Sequence, residues 1–158
     1  MGILMTNELI YFAKTEKDTI HLGQKLAHFA QKKDVFALFG TLGMGKSVLS
    51  RAFIQELTQA DDVPSPTFTL LQTYEASDFD IYHFDLYRLK SPEEIFEIGV
   101  EEALYDGVSL IEWPERMGGY LPKQAFCIEI TIFGEGRQFK ITHQDSQRIE
   151  KLKALLHV

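Results

Sequence analysis

The chain has 158 residues, 45% of them hydrophobic and 25% charged, which fits one globular domain over residues 1–158 with a sizeable core and excludes disordered or low-complexity classes. No uncharged apolar run reaches the roughly 18 residues that a membrane span needs, so no bilayer crossing is expected. The net charge of −7 disfavours a direct grip on DNA or RNA, and the single cysteine, Cys127, has no internal disulfide partner, which suits a reducing cytoplasm.

Residues 1–6 read as a flexible N-terminus. Glu8 to Ala13 alternates weakly and predicts a first strand. Thr15-Glu16-Lys17-Asp18 has capping-box spacing, and the stripe Ile20, Gly23, Ala27 and Ala30 carries a helix to about Gln31. Val35 to Phe39 is a continuous apolar run of strand length, typical of a strand buried on both faces. From Lys46, the positions Leu49, Ala52, Phe53 and Leu57 keep helical spacing until Asp61-Asp62. Two strand-like runs follow, from Thr67 to Glu75 and from Asp80 to Leu89, joined as a hairpin by the polar turn Ala76-Ser77-Asp78. Ser91-Pro92-Glu93-Glu94 starts a helix with a capping serine and proline at its first position, and Gly99 breaks it. Val108 to Ile111 predicts a short strand. Ala125 to Phe133 and Arg137 to Thr142 predict a hairpin around Gly134-Glu135-Gly136, and an amphipathic helix follows Ser146. The order of elements predicts a three-layer α/β domain with a mixed parallel and antiparallel sheet.

Gly40-Thr41-Leu42-Gly43-Met44-Gly45-Lys46-Ser47 matches the pattern G-x-x-x-x-G-K-[ST]. At average residue frequencies the four fixed positions coincide in roughly one chain of this length in two hundred. The context sharpens the match, because the motif leaves a buried strand and opens a helix. Glycines let backbone N–H groups turn inward around phosphate oxygens, and the helix N-terminus adds partial positive charge. Lys46 supplies a cation for the β- and γ-phosphates, and Ser47 offers a hydroxyl to Mg²⁺.

A metal site of this kind also takes a carboxylate at the end of a neighbouring strand. Glu112 closes the run Val108–Ile111, where Asp is more usual; it either serves Mg²⁺ or the attacking water, or is a surface acid. In Tyr82-His83-Phe84-Asp85-Leu86 the alternation puts His83 and Asp85 on one face, and spacing alone leaves open whether that face overlooks the loop or solvent. His83 reads first as a packed or hydrogen-bonded histidine. In Val63-Pro64-Ser65-Pro66-Thr67 two prolines restrict the chain, so that Thr67 either presents its hydroxyl to a γ-phosphate or simply enters the next strand. Trp113, the only tryptophan, leaves the strand beside Glu112 as either a core lid or a partner contact. Cys127 reads as packing.

The motifs LFGTLGMGKS, VPSPTFTL, HFDLYRL and IEWPE, in this order, closely resemble the bacterial TsaE (YjeE) family of small ATPases needed to make threonylcarbamoyladenosine in tRNA. The resemblance is specific from about Ala37 to Glu115. It implies that Leu42, Gly43, Met44, Gly45, Lys46, Ser47 and Val48 hold the phosphates of ATP or ADP. It further implies that Ser47 and Glu112 hold Mg²⁺, and that Asp85 acts in hydrolysis. Thr67 then reads as a switch-type residue, and Trp113 as a neighbour of the metal ligand. Met44 stands where small residues are common in the family; its side chain can point away from a loop that binds through its backbone.

The resemblance also implies two protein partners of TsaB and TsaD type, with tRNA met only through that complex and no role for DNA or membrane. Catalytic work then falls to Lys46, Asp85, Glu112 and Thr67, with Arg88 the nearest arginine for a finger unless a partner supplies one. The alternative is a small-molecule kinase using the same loop. Such enzymes usually close an arginine-bearing lid, whereas the five arginines here, Arg51, Arg88, Arg116, Arg137 and Arg148, do not cluster in sequence. A guanine-specific switch is disfavoured, because the only asparagine, Asn7, is followed by Glu8 and no N-K-x-D motif exists.

Overall fold

The computed structural model describes residues 7–41, 45–64, 66 and 70–158. The expectations for residues 1–6 and for a strand beginning at Thr67 lie outside the described residues. Seven strands form one mixed sheet: β1 (Glu8–Ala13), β2 (Val35–Phe39), β3 (Leu71–Glu75), β4 (Asp80–Asp85), β5 (Val108–Glu112), β6 (Phe126–Phe133) and β7 (Gly136–Thr142). Their order across the sheet is β1-β7-β6-β2-β5-β4-β3. The four central strands, β6, β2, β5 and β4, run parallel, while β7, β1 and β3 pair antiparallel at the flanks.

Helices α1 (Glu16–Phe29), α2 (Lys46–Leu57) and α4 (Ser146–Leu156) cover one face, and α3 (Val100–Asp106) with two 3₁₀ segments, Pro92–Phe96 and Pro114–Tyr120, covers part of the other. This is the three-layer mixed α/β architecture that the sequence predicts. Period-two alternation decides which side each strand residue feeds. Phe36, Leu38, Val108 and Leu110 pack toward α1 and α2, whereas Val35, Phe84 and Ile111 join Ile95, Val100 and Met117 in a second cluster. Phe36 is central to the larger core, its ring stacked 5.2 Å from Phe126 and tilted 5.7 Å from Phe53. Aromatic pairs of this kind add about 0.5–1.5 kcal/mol each beyond their area.

The capping box at Thr15 and Asp18 forms, and it starts α1 one residue later at Glu16; the helix ends at Phe29, short of Gln31. Two expectations are corrected. The strand predicted from Asp80 to Leu89 ends at Asp85, because Asp85 Oδ1 accepts a hydrogen bond from Tyr87 N at 3.1 Å and turns the chain, leaving Leu86 and Leu89 to fill the second core cluster. The segment opened by Ser91 is a 3₁₀ turn, closed by the predicted Ser91–Glu94 capping box. Gly99, at φ 94°, then starts the separate helix α3, which the sequence reading did not anticipate.

Candidate functional site

Helix α2 begins where the glycine motif ends. Gly45, its N-cap, has φ 104°, a conformation that costs any residue with a Cβ strain and that glycine adopts freely. The first turn then carries Lys46 and Ser47 at the helix N-terminus, the end whose free N–H groups favour anions. Ser47 is exposed and Val48 half-buried, whereas Lys46 is only 4% exposed. Its Nζ has no hydrogen-bond partner among the described residues and sits 3.9 Å from the centroid of the Trp113 ring. Burial holds the Lys46 pKa below the ordinary lysine value, while Glu112, Glu115 and Asp85 pull it the other way. Leu42, Gly43 and Met44 lie outside the described residues, as does Thr67.

Parallel pairing sets the two carboxylates side by side. Asp85 is in register with Glu112, which is in register with Leu38 just before the glycine motif. All three lie at the C-terminal ends of their strands, the edge where open α/β sheets bind ligands. The face left open by the sequence is the α2 face, because Ile81, Leu110 and Leu38, which share the parity of His83, Asp85 and Glu112, pack into the α1–α2 core. Asp85 and Glu112 are 7% and 4% exposed, so neither is a surface acid.

His83 is a buried, hydrogen-bonded histidine, as the sequence suggests: its Nε2 lies 2.7 Å from Glu112 Oε2, which fixes one oxygen of that carboxylate. Its Nδ1 is buried with no partner among the described residues. Trp113 has φ 59° and ψ 50°, and its ring packs 4.9 Å from that of Tyr87. Among the described residues no three His, Cys, Asp or Glu side chains converge as a ready-made metal cage. Ser47 and Glu112 line one cavity and Asp85 is in register beside Glu112; their side chains offer hard oxygens suited to a small divalent cation.

A cavity of about 340 Å³ opens from this helix end. Besides Gly45, Lys46, Ser47, Val48 and Glu112, it is lined by Ala13 to Glu16 and Thr19 at the β1–α1 junction and by Glu135, Gly136 and Arg137 at the β6–β7 turn. The sequence reading did not foresee these two segments. Their only signal was the pair of turns themselves, and they meet because edge strand β1 pairs with β7 so that Ala13 faces Arg137. Arg137 therefore reaches the cavity, whereas Arg88 stands on the exposed turn after β4.

Residues 13–141 match the family described as "Threonylcarbamoyl adenosine biosynthesis protein TsaE". The chain is 42% identical to the tRNA threonylcarbamoyladenosine biosynthesis protein TsaE of Rickettsia felis, over 78% of this chain and 72% of the relative. It is 38% identical to the Rickettsia bellii protein of the same name, over 78% and 87% of the two chains, and 33% identical to that of Haemophilus influenzae, over 86% and 90%. A crystal structure of YdiB from Bacillus subtilis superposes with a TM-score of 0.75 over 99% of this chain and 98% of that one, at 24% identity, which shows a shared fold. With a family match over most of its length and relatives above 30% identity, the chain belongs to the TsaE family of threonylcarbamoyl adenosine biosynthesis proteins.

Proposed function

We propose that the chain binds ATP with Mg²⁺ and hydrolyses it slowly, and that this hydrolysis supports or resets a complex of TsaB- and TsaD-type proteins in the tRNA threonylcarbamoyladenosine biosynthesis that its family serves. The observation that carries the reading is the Lys46 ammonium: buried, without a hydrogen-bond partner among the described residues, set at a helix N-terminus in the wall of a cavity, and close enough to the buried Glu112 and Asp85 to feel their charge. A buried cation whose donors are unused is costly to the fold and finds its partners in an anion. A polyphosphate is the anion that a glycine loop and a helix N-terminus accept.

Each residue then has a task. Backbone N–H groups of the Leu42 to Val48 segment hold phosphate oxygens, and Lys46 neutralises charge between the β- and γ-phosphates. Ser47 and Glu112 would hold Mg²⁺, which when bound offsets phosphate charge as the leaving oxygen departs. His83 keeps Glu112 in one orientation through the 2.7 Å contact. Asp85 orients the water that attacks in line, with Glu112 sharing that task, and Thr67 senses the γ-phosphate. The cavity between the β1–α1 junction and the β6–β7 turn receives the nucleoside.

Isolated turnover is expected to be slow. Arg137 is the arginine brought to the cavity, and a partner protein is the natural source of any further positive charge on the transition state. The acidic net charge of −7 supports contact with tRNA through the complex and not directly. No helix among the described residues is long and apolar enough to cross a membrane. The test is the steady-state rate of ADP formation, alone and with purified TsaB- and TsaD-type proteins. A slow rate that rises with both partners supports the reading. ATP hydrolysis indifferent to the partners removes them from it and leaves a kinase-like search for a phosphate acceptor.

A further inference from the structure

The contact between Lys46 and Trp113 joins two residues with little reason to meet. The ammonium lies 3.9 Å from the indole centroid, close enough for a strong attraction to the ring's electron-rich face. The ring satisfies none of the three N–H donors, and they find no other acceptor among the described residues. The indole is set there by its surroundings. Trp113 adopts φ 59° and ψ 50°, a left-handed conformation that is unfavourable for a bulky residue, with Pro114 following directly. The carbonyl of Trp113 accepts from Arg116 N at 3.1 Å, and the Tyr87 ring packs 4.9 Å from the indole. Tyr87 is 43% exposed, with the Arg116 guanidinium 5.9 Å from its centroid, so the stack Lys46–Trp113–Tyr87–Arg116 runs from the loop lysine out to the surface.

We propose that Trp113 is a placeholder for the phosphate: its ring holds the Lys46 ammonium, and a nucleoside phosphate binds by drawing that ammonium off the ring. The inference rests on the nucleotide site proposed above and deepens it. Phosphate oxygens offer what the ring lacks, acceptors for three N–H donors, so the exchange is favourable; yet the attraction to the ring must first be given up. Trp113 therefore sets the affinity of the site from below. A residue that serves only to fill space predicts the opposite, since removing it loosens the site and weakens binding. The exposed Tyr87 end gives the stack a handle: pressing or freeing Tyr87 alters how firmly Trp113 holds the lysine.

The test is calorimetric titration of the full chain with ADP and Mg²⁺, comparing the wild type with Trp113→Leu, Trp113→Phe and Tyr87→Ala, each checked for folding by its thermal transition. Trp113→Leu is expected to bind about thirtyfold tighter, the equivalent of a desolvated cation–π contact. Trp113→Phe, with a weaker ring, should fall between leucine and the wild type, and Tyr87→Ala should tighten binding by a smaller factor. Equal or weaker binding by Trp113→Leu overturns the proposal; should that variant not fold, Trp113→Phe decides by the same criterion. A wild type that binds no ADP at all overturns the nucleotide site itself, and the placeholder with it.

Discussion

Gly23→Ala tests the packing that holds the site together. Gly23 lies on α1 where it meets α2, and a Cβ there would sit 2.8 Å from Ala52 Cβ and 2.8 Å from the Leu49 carbonyl oxygen, with Phe53 N at 3.3 Å. Non-bonded carbon atoms prefer about 3.5–4.0 Å, so the two helices must part by roughly 1 Å. The Leu49 oxygen belongs to the backbone and cannot rotate aside. Overpacking of this order costs about 1–3 kcal/mol, and the better helix propensity of alanine returns about 1 kcal/mol. Because the clash is with a fixed backbone atom, the cost falls at the upper end of that range, and the expected net loss is about 2 kcal/mol, seen as a fall of about 4–8 °C in Tm for a chain of this size. Because α2 carries Lys46 and Ser47 in its first turn, the same displacement should weaken binding of ATP with Mg²⁺. The assay is a thermal melt beside a nucleotide titration. Adding Ala52→Gly should recover only part of the loss, since the Leu49 oxygen stays in place. A Gly23→Ala protein as stable as the wild type would refute the close α1–α2 contact and the rigid platform argued from it.

Glu112→Gln keeps the shape and the acceptor for His83 but removes the charge; ADP formation should drop by a factor of about 10² or more while the melt changes little, as a stopped assay with circular dichroism would show. Asp34→Ala breaks the bidentate pair in which Arg148 donates to Asp34 Oδ1 at 2.9 Å and Oδ2 at 2.8 Å. It leaves a largely buried guanidinium against Phe29 and Phe126, so urea unfolding should show a loss of about 3–5 kcal/mol. The fourth prediction concerns pH. Burial depresses the Lys46 pKa in the folded state below its ordinary 10.5, so the charged form costs stability below the folded value. That cost fades as pH climbs from the folded value toward 10.5. Relative to Lys46→Met, the wild type should therefore gain stability between neutral and alkaline pH; urea midpoints of both proteins at the two pH values measure it, and a constant difference would contradict the desolvated ammonium.

Local patterns were readable in the sequence wherever they were self-contained. Val35–Phe39 is a strand because its five residues are apolar without interruption, and Lys46–Leu57 is a helix because its apolar positions keep one face. The capping boxes at Thr15 and Ser91 both form. What escaped depends on residues distant in sequence. No spacing rule links His83 to Glu112 or Lys46 to Trp113; those meetings follow from the parallel register of β4, β5 and β2. Alternation placed His83 and Asp85 on one face, but only the sheet order says that α2 covers that face. The cavity's outer wall was hidden for the same reason, since it needs edge strand β1 to pair with β7. The short helix Val100–Asp106 escaped because, although Val100, Ala103 and Leu104 keep helical spacing, seven residues are fewer than the roughly 11–18 over which that period can be read.

The central claim is that Lys46 and its helix end form a nucleotide site, and the most direct measurement is ATP binding in the presence of Mg²⁺ by wild type and Lys46→Ala, with the fold of both confirmed by melting. The account predicts saturable one-to-one binding by the wild type and its loss in a variant that melts as a folded domain. ATP bound equally well by Lys46→Ala would contradict it.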